Sequence, residues 1–473
     1  MIKKLRIQNF KAWKDTSAFD LKPITLFFGS NSSGKSSLIH FLLMMKLTAE
    51  SSNREAVFQT GGPESPLDLG NFSDLLYRRD VKSALEFALD WVPLEARYFP
   101  NPPKNLKPGN KVLRLESRTR FHGKAESATP TVEHLSYSAE NVSGKRIFVR
   151  MNHKAGDTYS AEAVPVSLEV NGPGKPVISD PPIKCYGFPD SFTVRFKNAD
   201  YVRALNLAVE QLASRIFYLG PIRKRPSRLY HWSESRINSV GYEGEMTIGA
   251  LLANANRKFS GSAKAPATPM HQHVAEALKA MGLIHSLKVE ALNTGLRLYE
   301  VKVKISEAAA EVNLPDVGFG LSQLLPVLVQ CYAAPANAIL LIEQPELHLH
   351  PKAQARLANV LANVIRSFEN GKRRNIQLII ETHSEHLLRR IQRLIAEDKL
   401  SHAEVACYNV SQEKSCAQLE PLKVTDQGYI ENWPKDFFGD SMAEAVAHRQ
   451  AALKKRATTP PGKTSSGGAR THG

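Results

Sequence analysis

At 473 residues the chain has room for two or three domains, and its balance of 42% hydrophobic and 23% charged residues, with 28 Gly and 28 Pro, excludes wholesale disorder, collagen and low-complexity repeats. The formal charge of +16, from 62 Lys and Arg against 46 Asp and Glu, suits contact with phosphates, although basic residues also serve ordinary solubility and part of the excess sits in the C-terminal tail. No stretch approaches the ~18 apolar residues of a membrane-spanning helix, and the charged opening from Met1 to Phe10 lacks the apolar core of a secretory signal. Cys185, Cys331, Cys407 and Cys416 lie far apart with no CxxC pair, which predicts a cytoplasmic protein without disulfides or a zinc ribbon.

In chain order, IKKLRIQNFKAWKD and AFDLKPITLFFG read as short strands, and SLIHFLLMMKLTAES as an apolar helix. Between Tyr98 and Asn198, Pro- and Gly-bearing turns separate alternating stretches such as RIFVRMNH and PVSLEV, the pattern of a β-rich insertion or lobe extension. A helix is expected over 199–214, a buried strand in RIFYLGPIR, a helix over 271–281, and strands near 287–291 and 296–305. After Asp316, the helix GLSQLLPVLVQCY, the buried strand AILLIE, the helix KAQARLANVLANVIRSF, the buried strand IQLIIETHS and the helix EHLLRRIQRLIAE alternate. That spacing predicts a mainly parallel sheet covered on both faces by helices, an α/β fold.

Gly29-Ser30-Asn31-Ser32-Ser33-Gly34-Lys35-Ser36 fits G-x-x-x-x-G-K-[ST], between a strand and a helix as a phosphate-binding loop requires. A polyphosphate must be wrapped by backbone N–H groups, and Gly29 and Gly34 permit that approach. The helix opening at Lys35 and Ser36, with Ser37 behind, aims its free N–H groups at the phosphates. Lys35 then reaches the outer phosphates and the Ser36 hydroxyl can ligate Mg²⁺.

Such a site also needs a carboxylate for the metal and a group that positions water. The strand ending Glu343-Gln344-Pro345-Glu346 and the later one ending Thr382-His383-Ser384 would converge at the carboxyl edge of the sheet. Glu346, His348, His350, His383 and His386 lack the HExxH spacing of a zinc site, and no Gly-x-Ser-x-Gly elbow supports a serine hydrolase.

Together these residues resemble the ABC-type ATPase heads of the group that holds RecF, the structural-maintenance-of-chromosomes proteins and the overcoming-lysogenization-defect nucleases. GSNSSGKSS matches Walker A, VGFGLSQ (Val317 to Gln323) the signature motif, ILLIEQPELHLHP Walker B with its D-loop, and ETHS the H-loop. YLGPIR, GFGLSQLLPVL, EQPELHLHPKAQARLA and the closing YIENWPKDFF resemble stand-alone bacterial ATPases of anti-phage systems, Septu-like and PARIS-like ones among them.

The resemblance implies ATP and Mg²⁺ as cofactors, with Ser36 and Glu343 on the metal. It implies a head-to-tail pair of heads in which Gly320, Ser322 and Gln323 of one chain face the Lys35 pocket of the other. Glu343, Gln344, Glu346 and His383 are the candidate catalytic residues. Gln344 stands where the group usually carries a glutamate base, so slow turnover is expected, with Gln344 orienting water and Glu346 a nearby carboxylate. The implied partner is a separate effector nuclease, with no membrane.

Two other readings stay open. A RecF-like repair ATPase would touch DNA directly, using a cluster such as Arg223, Lys224, Arg225 and Arg228, which reads equally as a solvated loop. A scaffold would hold ATP with almost no turnover. The expected division is 1–97 for the first part of the head, 98–215 for the β-rich insertion with a helix, and 216–315 for a helix-and-strand region. Residues 316–425 form the second part of the head, 426–456 a small C-terminal domain, and 457–473 a disordered basic tail.

Overall fold

The computed structural model describes residues 1–94, 112–122, 129–140, 146–173, 176–232, 237–293, 296–413, 416–434, 437 and 449–450. The chain divides into two units, Met1–Glu431 and Asn432–Gly473. The basic tail expected over 457–473, and most of the small domain expected over 426–456, lie outside the described residues.

Six strands form the sheet that carries the phosphate loop, in the order Ile216–Leu219, Ile339–Glu343, Gln377–Glu381, Ile24–Gly29, Val405–Glu413 and Cys416–Leu422. The first five run parallel and the last returns antiparallel. Ile339–Glu343 and Gln377–Glu381 are buried at every residue, which is why both read as unbroken apolar runs. Helices Pro351–Arg366 and Glu385–Ala396 pack on each other, each with a regular apolar stripe.

A second sheet is antiparallel and has nine strands among the described residues. Ile2–Phe10 and Leu85–Trp91 sit in it beside Leu113–His122, Thr129–Glu140, Arg146–Lys154 and Thr158–Val164. The β-rich stretch after residue 98 thus continues a sheet begun by the first strand of the chain. Its alternation has a physical cause. Leu113, Leu115, Ser117 and Thr119 face the core, while Arg114 and Arg118 point outward to Asp90 (3.5 Å) and Glu86 (2.9 Å) on the neighbouring strand.

Helix Lys35–Glu50 touches the six-stranded sheet while Phe41 meets Phe10 (5.4 Å) and Phe87 (5.3 Å) of the other. A helix between two sheets must be apolar nearly all round, and FLLMM is. The helices expected over 199–214 and 271–281 are Tyr201–Ala213 and Met270–Met281, and the strands near 287–305 are Ser286–Asn293 and Leu298–Lys304.

Helix Phe319–Ala333 is buried from Leu321 to Ala333, so its last carbonyls are sealed from water. Two arginines satisfy them. Arg374, fully buried, donates to Cys331 O (3.2 Å), Tyr332 O (3.1 Å) and Ala334 O (2.6 Å), and Arg257 to Ala333 O (2.6 Å). Glu369 pairs with Arg257 at 2.8 Å and balances the charge. Burial, then Arg257, pulls Arg374 down to about 10.

Candidate functional site

Strand Ile24–Gly29 delivers the chain into the phosphate loop. Gly29 has φ 142°, and a Cβ there would lie 2.0 Å from Val410 O on the adjacent strand, so only glycine fits. Gly34, at φ 107°, precedes helix Lys35–Glu50. Trp13 supports the turn from beneath, its Nε1 donating to Gly34 O (3.1 Å) and Ser37 Oγ (2.9 Å).

The loop opens on a cleft of ≈ 580 Å³. Asn31, Ser32, Ser33, Gly34, Lys35, Ser36, Ser37, Gln344 and His383 line it, so the structure brings these sequence candidates together. Lys35, 3% exposed, donates to Gly29 O (3.1 Å) and Ser30 O (2.6 Å). Burial lowers its pKa, against Glu381 and Glu346, which raise it. Ser33 Oγ is buried with no partner, a donor left for a ligand.

Four further residues complete this side of the site, three to which the sequence reading gave no role and one that it placed on a basic surface. Glu381 ends its strand in register with Glu343 and lines the cleft. Its carboxylate lies 3.9 Å from Lys35 Nζ, and its Oε2 is buried without a partner. Burial, then Glu343, raises its pKa, while the Ser36 hydroxyl opposes that. Glu343 itself is 4% exposed, its Oε1 2.8 Å from the Tyr218 hydroxyl and 3.0 Å from His40 Nε2. Burial, then Glu343, holds the Tyr218 phenol far above its ordinary value, so it stays protonated and donates.

The fourth is Arg223. It is 3% exposed, with Nη2 donating to Glu343 O (2.8 Å) and Nη1 to Gln344 O (3.4 Å). Burial lowers it to about 10, against Glu346 and Glu343. This corrects the expectation that it stands on a basic surface. Arg223 is spent on the turn after Glu343, and of the same cluster Arg228 is paired with Asp316 at 2.7 Å. Gln344 is held there in the left-handed region (φ 44°) by that arginine and by its own N–H to Glu381 O (2.8 Å).

Glu346 does not line the cleft. It is buried, and its Oε1 accepts the His383 N–H at 2.7 Å. Burial raises its pKa, and burial, then Lys35, lowers that of His383, whose ring bonds back to Gly29. Gly320, Ser322 and Gln323 also stand outside the lining of this cleft. Ser322, 7% exposed, donates to Phe319 O (2.8 Å), and Gln323 to Arg223 O (3.4 Å). A Cβ on Gly320 would meet His348 O at 2.8 Å, so the signature helix rides directly on the turn after Glu346.

The donor set fits Mg²⁺: two carboxylates, one of them with an orphaned oxygen, and a serine hydroxyl are hard oxygen ligands. No group of three or more His, Cys, Asp or Glu that could hold a metal occurs among the described residues, so the remaining ligands would come from phosphate and water. No helix among them is long and apolar enough to cross a membrane.

Residues 198–389 match a family described as "AAA domain, putative AbiEii toxin, Type IV TA system", and residues 1–88 match "AAA ATPase domain". Residues 400–447 match "Protein of unknown function (DUF3696)". No curated protein matches the chain. Among solved structures it is similar to an Smc head bound to the C-winged helix domain of ScpA (11% identity, TM-score 0.39, 89% of this chain and 98% of that one). It is also similar to the SMC head domain from Thermotoga maritima (9%, 0.35, 89% and 99%) and to an Smc head with an extended coiled coil from Pyrococcus furiosus (10%, 0.42, 96% and 99%). The loop from Gly29 to Ser36 lies in the first of these two matched segments, and Glu343, Gln344, Glu381 and His383 in the second, so both halves of the cleft fall in segments that are similar to AAA domains.

Proposed function

We propose that this protein binds ATP with Mg²⁺ in the cleft and hydrolyses it slowly. One observation carries the reading: Lys35 is sunk at the opening of a buried helix, in a phosphate loop facing two strand-end glutamates. Gly29, Gly34 and Ser33 receive the phosphate chain, and Lys35 exchanges the carbonyls of Gly29 and Ser30 for phosphate oxygens. Bound Mg²⁺ would neutralise and orient the terminal phosphates, with Ser36 and Glu343 as its expected protein partners. Gln344 lines the cleft with an amide that can orient water yet cannot take its proton, which is the reason for slow turnover. His383 lines the phosphate side of the cleft with its ring bonded back to Gly29.

Two copies associate head to tail, with Gly320, Ser322 and Gln323 of one facing the Lys35 cleft of the other. Phe319 and Gly318 are exposed at that helix start, and the Gly320–His348 contact ties it to the turn carrying Gln344 and Glu346. Closure would therefore be felt at both positions. The finer role is control of a separate effector nuclease in bacterial anti-phage defence, resting on the likeness of YLGPIR, GFGLSQLLPVL and EQPELHLHPKAQARLA to stand-alone ATPases of such systems. Calorimetry of ATP with Mg²⁺ tests the core. The wild-type chain should bind and sediment as a dimer, and Lys35→Ala should do neither; nucleotide uptake by Lys35→Ala equal to wild type refutes the assignment.

A further inference from the structure

We infer that Glu381, rather than Glu343 alone, presents a carboxylate oxygen to the divalent cation beside Ser36. The inference rests on the nucleotide reading above and adds a residue to it.

Glu343 is already engaged. Its Oε1 is met by both Tyr218 and His40, its main-chain carbonyl is held by Arg223, and it does not line the cleft. Glu381 is placed the other way. Its strand lies between that of Glu343 and the strand that runs into the phosphate loop. It is 4% exposed, it lines the cleft, and its Oε2 is sealed from water without a hydrogen bond. Lys35, the cation nearest it, stops at 3.9 Å and spends hydrogen bonds on Gly29 O and Ser30 O.

A carboxylate oxygen removed from water and left unbonded is costly unless something completes it. In register beside Glu343, it has a second acid as its cross-strand neighbour, with Lys35 3.9 Å away. A lone cation such as another lysine would find one carboxylate already capped by Tyr218 and His40. A small divalent ion takes oxygens from separate residues and fills its remaining positions with phosphate and water, and this corner supplies that pattern. His40, one turn beyond Ser36 on the same helix, then acts as a positioning residue that keeps Glu343 turned toward Tyr218.

The test uses the full chain with Mn²⁺ as a spectroscopic probe and a non-hydrolysable ATP analogue. Nucleotide affinity is measured in EDTA, and Mn²⁺ affinity by electron paramagnetic resonance with the analogue bound. For Glu381→Gln the expected result is a Mn²⁺ affinity lower by at least ~10-fold, with metal-free nucleotide affinity equal to or tighter than wild type. Glu343→Gln should lose less Mn²⁺ affinity than Glu381→Gln, and Glu381→Asp should fall between wild type and Glu381→Gln.

The melting midpoint of Glu381→Gln in EDTA should not fall below wild type, because a buried charge beside another has been removed. Should it fall, the Glu381→Asp and Glu343→Gln affinities still decide. Undiminished Mn²⁺ binding by Glu381→Gln, or a loss confined to turnover, overturns this inference while the nucleotide site stands. A wild-type chain that takes up neither analogue nor Mn²⁺ overturns both.

Discussion

Replacing Arg223 separates a buried latch from a surface cation. In the structure its guanidinium makes one short hydrogen bond to Glu343 O and a longer one to Gln344 O, with 3% of its surface exposed. A charge-assisted hydrogen bond contributes about 1.5–3 kcal/mol, and orphaning a buried carbonyl costs a further 1–3 kcal/mol. Arg223→Met keeps most of the volume and removes both bonds, so about 3 kcal/mol of stability should be lost. Arg223→Lys can reach one carbonyl and should lose roughly half of that.

Urea unfolding followed by far-UV circular dichroism measures the loss. A salt-titrated DNA-binding assay on the same variants supplies the contrast, because a phosphate contact would lower affinity and flatten its salt dependence. If Arg223→Met unfolds within about 0.5 kcal/mol of wild type while DNA binding weakens, the latch is wrong and the residue belongs to a surface.

Two further outcomes follow from particular contacts. Arg374→Met should destabilise by about 3–5 kcal/mol, because three main-chain carbonyls at the end of the buried signature helix lose their donor together, and Glu369 loses a nearby cation. Thermal unfolding reads it, and a shift near zero would mean that water reaches the helix end. Gln344→Glu should raise the steady-state ATPase rate by about 10²-fold or more, since it adds a proton acceptor where the amide now lines the cleft. A slower variant would show that position 344 does not address the attacking water.

The phosphate loop was legible because everything it needs is local. Two glycines, a lysine and a serine in eight residues, between an apolar strand and an apolar helix, mark the strand–loop–helix turn without reference to the rest of the chain. The strands around Glu343 and His383 were legible for another reason: burial on both faces forces an unbroken apolar run. Glu381 escaped because its meaning is a register. IQLIIE ends like ILLIE, yet only pairing of the two strands makes those glutamates neighbours. His40 had a signal, lying one turn beyond Ser36, but nothing local says that Glu343 waits there. Arg223 misled because a run of basic residues looks alike whether it faces solvent or a turn of main chain folded over it. The long antiparallel sheet was hidden similarly, since Leu85–Trp91 pairs both with the first strand of the chain and with Leu113–His122.

The balance of charge links these residues. Lys35 and Arg223 are the two buried cations around the cleft, against the buried carboxylates of Glu343, Glu346 and Glu381. When all ionise, the acids exceed the bases by one. Burial pushes Glu346 and Glu381 toward the neutral form, which lessens the excess, while burial of Lys35 disfavours its charge and works the other way. A triphosphate bearing several negative charges would worsen the imbalance if it entered alone. It enters favourably only with a cation that answers both the phosphates and the acids. On the proposed reading, the same acids that would weaken uptake of bare nucleotide would make the cleft selective for the metal complex, and a neutral Glu381 should blur that selectivity before it alters the fold.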